Sequence, residues 1–124
     1  MKKVYYAHSI HIYNTKREKK ELRFLRKKFS SVCNPNTDIT WDNTTKMELY
    51  FKAVKNSDIV VVSEYRYHIG KGVYDEIKIA INSNILVLCL RRKLFKYRLQ
   101  QVKGVKLVNE QDWKITYGKV ILYD

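Results

Sequence analysis

A chain of 124 residues can bury one substantial core but not two, which excludes a multidomain arrangement. Its 25 Lys and Arg against 12 Asp and Glu leave a formal charge of +13, a field that favours anionic partners such as nucleotides, nucleic acid or acidic lipid. No apolar run approaches a membrane-spanning helix, and none behind Lys2-Lys3 is long enough for a signal peptide, so a cytoplasmic protein is expected.

Residues 3–7 (KVYYA) form the first expected strand, which ends at His8-Ser9. Thr15-Lys16-Arg17-Glu18 has the spacing of a capping box, in which hydroxyl and carboxylate each satisfy a free N–H of a helix start. Leu22, Leu25 and Phe29 then recur as the apolar stripe of a helix ending near Phe29. The basic residues between Lys16 and Lys28 read as its solvated outer face, because single-strand binding wants aromatics interleaved on an exposed face. Ser31-Val32-Cys33 is a short strand stopped by a turn at Asn34-Pro35-Asn36, and a loop covers 37–43. Thr45 to Glu48 repeats the capping-box spacing before a second helix with Met47, Tyr50, Phe51 and Val54 on its core face.

The pattern is strongest over 57–90. Asp58-Ile59-Val60-Val61-Val62 is β-branched without polar alternation, as a strand buried on both faces requires. A polar and aromatic loop leads to Gly70-Lys71-Gly72. From Val73 the period becomes helical, with Val73, Ile77, Ala80 and Ile81 on one face, until Asn82-Ser83-Asn84 stops it. Residues 85–90 are a second buried strand, so the whole is a βαβ unit with parallel strands. Arg91-Arg92-Lys93 then leaves the sheet into a basic, poorly periodic stretch running to Lys103. Residues 105–108 and 120–123 read as further strands, the last after a turn at Gly118. The expected fold is a three-layer α/β sandwich with a largely parallel sheet of about five strands, of the flavodoxin or Rossmann kind.

In such sheets the ligand crevice lies at the carboxyl ends of the strands. His8-Ser9-Ile10, Asn34-Pro35-Asn36 and residues 65–72 should converge there. Gly72 lets backbone approach a ligand, and the free N–H groups of the helix start attract phosphate. Glu76 sits one turn in, where it is either chemistry or a plain complement to the helix dipole. Cys33 and Cys89 lie in apolar runs without metal-ligand spacing and read as reduced, buried hydrophobes. His8, His11 and His68 lack a carboxylate or Cys at convincing spacing, so neither metal nor cofactor is expected.

VYYAHSI, NSDIVVV, GVYDEIKIA and NILVLCL, at their intervals, resemble the nucleoside 2-deoxyribosyltransferase-like superfamily, above all its small 2′-deoxynucleoside 5′-monophosphate N-glycosidases. Gly72, Glu76 and Ala80 keep the family spacing of Gly four before, and Ala four after, its Glu. The resemblance covers roughly residues 3–90. It implies cleavage or exchange of an N-glycosidic bond, with Glu76 as the nucleophile that meets an oxocarbenium-like transition state. It matches Ser9 to a phosphate- or sugar-holding position and Tyr5 to a Tyr that orients the nucleophile. His8, Asn36, His68, Gly70 and Gly72 complete the expected nucleoside or nucleotide site. The family's second carboxylate falls on Gly70 or Tyr50, and a second family Gly falls on Tyr74.

Two functions follow. One is a nucleotide N-glycosidase or deoxyribosyl transferase; the other is a non-catalytic protein that binds a nucleotide or nucleotide-derived signal, consistent with the missing carboxylate. Nucleic-acid binding rests on charge alone and is not favoured. The resemblance also implies a homodimer, with the segment from Trp113 to Tyr123 or the Met47–Val54 helix at the contact.

Overall fold

The computed structural model describes residues 2–108 and 117–123; Trp113 lies outside them. The elements are β1 (Lys3–His8), α1 (Lys16–Lys28), β2 (Ser31–Cys33), α2 (Pro35–Asp38), α3 (Glu48–Lys55), β3 (Ile59–Ser63), α4 (Lys71–Asn82), β4 (Leu86–Lys93), β5 (Lys96–Leu107) and β6 (Gly118–Leu122). The six strands form one sheet in the order β2-β1-β3-β4-β5-β6.

The largely parallel sheet of about five strands is not what forms. Pairing is parallel from β2 through β1 and β3 to β4, but β4–β5 and β5–β6 are antiparallel, so the sheet is mixed. The cause is at Arg91-Arg92-Lys93, which stays in β4 rather than leaving the sheet, and the chain folds straight back into the 12-residue β5. The reversal uses Leu94 and Phe95 at φ 51° and 67°, the paired positive values that a two-residue type I′ hairpin demands. Asn-Gly normally signals that turn; two large apolar residues conceal it.

Both faces of the parallel part are buried. Val4, Tyr6, Ile59 and Val61 pack against Leu22 and Leu25 of α1, while Tyr5, Ala7, Val60 and Val62 pack against Val54 of α3 and Val73, Ile77 and Ala80 of α4. Alternate residues of β1 and β3 therefore enter opposite cores, which is why these strands carry no polar alternation.

The first capping box forms in part. The Thr15 hydroxyl accepts from the Glu18 N–H at 3.2 Å, while the Glu18 carboxylate turns elsewhere. The second does not form: α3 begins behind Met47 with no side-chain cap, after Lys46 has entered the left-handed region at φ 50°. Asn34-Pro35-Asn36 opens a single helical turn, α2, capped by Asn34 Oδ1 on the Asn36 N–H at 3.1 Å. Among the described residues no helix is long and apolar enough to cross a membrane.

Candidate functional site

Because β1–β4 run parallel, His8-Ser9, Asn34–Asn36 and the segment after Ser63 emerge at one edge of the sheet. Glu76 turns inward from α4 and is buried, and the Tyr5 hydroxyl of β1 donates to its Oε2. Burial pushes the Glu76 carboxyl up to about 8; the Tyr5 hydrogen bond opposes this and the neighbouring Asp75 charge adds to it. Tyr5, Tyr13 and Tyr50 are all held above the ordinary phenol range, by burial first and then by Glu76. Burial, then Asp38 and Glu76, pushes the Cys33 thiol up to about 11. One buried carboxylate thus sits in the electrostatic reach of three phenols and a thiol.

His8 and Asn36 meet beside this centre through a residue that spacing had explained away as a cap. Glu18 Oε2 lies 2.8 Å from His8 Nε2, and Asn36 Nδ2 donates to both Glu18 oxygens at 3.1 and 3.2 Å. His8 Nδ1 lies 2.9 Å from the Tyr6 carbonyl, and its ring stacks on Tyr6 at 3.7 Å and tilts against Tyr13 at 4.8 Å. Burial lowers the His8 pKa against the pull of Glu18. Tyr13 lies within electrostatic reach of both Glu76 and Glu18, which raise its pKa after burial does. The sequence pattern marks Glu18 as a cap and not as a site residue, and it does not mark Tyr13 at all. A carboxylate amid so many Lys and Arg was the available signal for Glu18.

The other expected residues are placed as follows. The Ser9 hydroxyl accepts the His11 N–H at 3.2 Å. His68 Nδ1 lies 2.8 Å from the Arg66 carbonyl, in a tight turn between Tyr65 and His68. Gly70 is the N-cap of α4 and supplies no capping side chain to the N–H groups behind it. A Cβ at Gly72 would touch only Met47 Cε within 4 Å, at an ordinary 3.5 Å, so no close backbone contact there demands a glycine. Asp75 pairs with Lys71 at 2.8 Å, and Glu48 is exposed.

A cavity of about 910 Å³ opens elsewhere, at the carboxyl ends of β3 and β4 beside α1; of the segments expected to form the crevice only Arg66 and Tyr67 line it, and none of Tyr5, His8, Ser9, Asn36, His68, Gly70, Gly72 and Glu76 does. Its buried carboxylates are Glu21 and Glu64. Glu21 accepts from the Tyr6 hydroxyl, from Arg17 Nε at 3.1 Å and from the Ser63 hydroxyl at 2.9 Å. Glu64 accepts from Arg91 Nε at 2.9 Å and from the Cys89 thiol at 3.3 Å, and its carbonyl accepts from Arg17. Burial and then Glu64 push the Cys89 thiol up to about 12. No family model and no curated protein matches the chain.

Proposed function

We propose that the protein binds a nucleoside or nucleotide at the Glu76–Tyr5 centre and cleaves or exchanges its N-glycosidic bond. The buried Glu76 with the Tyr5 hydroxyl on one of its oxygens carries this reading. A Glu76 oxygen attacks the anomeric carbon and forms a glycosyl ester. The carbon–nitrogen bond breaks, its electron pair leaves with the base, and a solvent water gives the base its proton. Water, or a second base, then cleaves the ester. Tyr5 aims the carboxylate, and its hydrogen bond favours the charged form that must meet the oxocarbenium ion. In this reading Ser9, Gly70 and Gly72 hold the sugar or phosphate near the start of α4, Asn36 and His68 add contacts, and the buried His8 supports Asn36 through Glu18. The protein acts in the cytoplasm, which suits its two free cysteines, and as a homodimer.

One observation favours a second reading, a non-catalytic nucleotide-binding protein. Tyr50 stands within the field of Glu76 at a position where the resembled enzymes keep a carboxylate. Incubation with a panel of nucleosides and nucleoside monophosphates, with free base read by chromatography, separates the two. The enzyme reading expects base release that Glu76→Gln lowers by roughly a thousandfold or more while ligand binding survives. A Gln variant releasing base at the wild-type rate ends the mechanism. A wild type that binds nucleotides and releases base from none supports the second reading.

A further inference from the structure

The antiparallel ribbon that the sequence concealed has an unusual surface. β3 ends opposite Leu90, so the ribbon from Arg91 to Arg98 overhangs the carboxyl end of β3 and forms one wall of the 910 Å³ cavity. In its register Arg91 lies opposite Arg98 and Lys93 opposite Lys96, an arrangement of like charges that costs stability unless an anion neutralises it. Glu64 answers only for Arg91. The opposite wall is α1. There Arg17 and Lys20 line the cavity, and Lys20, Arg23 and Lys27 continue into an adjoining groove of about 300 Å³. Arg17 to Lys27 spans about 15 Å of helix.

Aromatic rings interleave with these cations. Phe24 of α1 and Tyr97 of β5 approach with centroids 5.0 Å apart, and the Arg92 guanidinium lies 5.9 Å from Tyr97 and 5.3 Å from Phe95. At the cavity mouth Arg91 lies 5.9 Å from the Tyr67 ring. Tyr67 is 72 % exposed and Phe95 86 % exposed, and both belong to turns held at positive φ. Large rings kept in solvent on strained turns contribute nothing to the core. Arginine predominates, and its planar guanidinium suits phosphate recognition better than an ammonium.

We propose that the groove between α1 and the β4–β5 ribbon binds single-stranded nucleic acid, with phosphates along the basic walls and bases stacked on Tyr67, Phe95 and Tyr97. The alternative occupant is an anionic membrane, reached by the exposed Leu94-Phe95 tip. The cations favour the strand, because they line two facing walls of a concave groove that a flat bilayer cannot enter. The site shares no residue with the Glu76 centre, and the two readings stand or fall separately.

The test is fluorescence anisotropy of the full chain with labelled dT15 and U15, a 15-base-pair duplex, and vesicles containing phosphatidylserine. The expected result is binding to at least one single strand in preference to duplex and vesicles. Its log K should fall with log salt at a slope of roughly −2 to −4, as three to five neutralised phosphates imply. Arg92→Gln/Lys93→Gln/Arg98→Gln should weaken the strand at least tenfold. Leu94→Asn/Phe95→Gly installs the sequence the turn prefers, so it should keep the fold while losing roughly 5- to 150-fold in affinity. Wild-type affinity in both folded variants overturns the proposal. So does preference for duplex, vesicle binding without oligonucleotide binding, or binding to none of the probes.

Discussion

Glu76 holds its proton into the neutral range because burial penalises the carboxylate more than the Tyr5 hydroxyl supports it. This links folding to pH with a definite sign. Between about 4.5 and about 8 the native chain keeps a proton that the unfolded chain has lost. Stability therefore falls as pH rises through that window, by roughly 1.4 kcal/mol per pH unit at most, and is flat outside it as far as this group is concerned. Glu76→Gln cannot titrate, so its melting temperature relative to wild type should climb from pH 5 to pH 8. Parallel profiles would place the carboxyl in a far more polar setting. Tyr5 should act through the same proton: Tyr5→Phe removes the donor that favours the charged form. The alkaline rise of base release should then move to higher pH, and a lower rate with an unmoved profile would reduce Tyr5 to packing.

At the scale of elements, β6 closes the sheet and also ties down the approach to α4, through paired backbone hydrogen bonds of 2.9 Å between Ile69 and Gly118. The glycine is required by crowding. A Cβ there would stand 2.9 Å from the Lys106 carbonyl oxygen and 3.0 Å from Tyr74 Cδ2. Since one contact is backbone, Gly118→Ala should cost about 1–3 kcal/mol, read as a lower denaturant midpoint. An unchanged midpoint would mean that β5 yields without loss. Thr15→Ala, by comparison, removes one cap and should cost about 1 kcal/mol.

For the whole molecule, the assembly and the charge make separable predictions. Leu49 of α3 and Trp41 before it remain 39 % and 51 % exposed, with the Trp41 ring centroid 6.2 Å from that of Tyr50. Leu49 lies on the α3 face that the proposed homodimer would use, so light scattering at tens of micromolar should report a dimer that Leu49→Glu weakens. A wild-type monomer at that concentration counts against assembly. The charge divides by ligand. Replacing Lys16, Lys19, Lys20 and Lys27 with Gln should leave mononucleotide affinity almost unchanged, because the phosphate site we propose near Gly72 uses helix N–H groups. The same variant should weaken single-strand binding, because Lys20 and Lys27 line the groove. Loss of mononucleotide binding would move that site to α1.

Local patterns determined much of this protein. Asp58 to Val62 had to be a strand buried on both sides, observed as Ile59–Ser63, with Val73 to Ala80 one face of a helix and Thr15 a helix start. In each case one residue's solvation or one N–H group's partner depends on near neighbours. The approach of Tyr5 to Glu76, 71 positions apart, lies outside any local pattern, since periodicity carries no information about which strand residue a distant helix meets. Glu18 showed the converse: its spacing was read correctly as a helix start, yet its carboxylate serves His8 and Asn36, brought to it by β1 and α2. The mixed sheet was decided in three dimensions as well. Leu94 and Phe95 have no intrinsic preference for positive φ, and only the pairing of β4 with β5 compensates the strain of that turn. The same pairing set Arg92 and Tyr97 beside Lys20, Arg23 and Lys27 of α1, whose basic side chains are solvent-exposed as the sequence pattern implies.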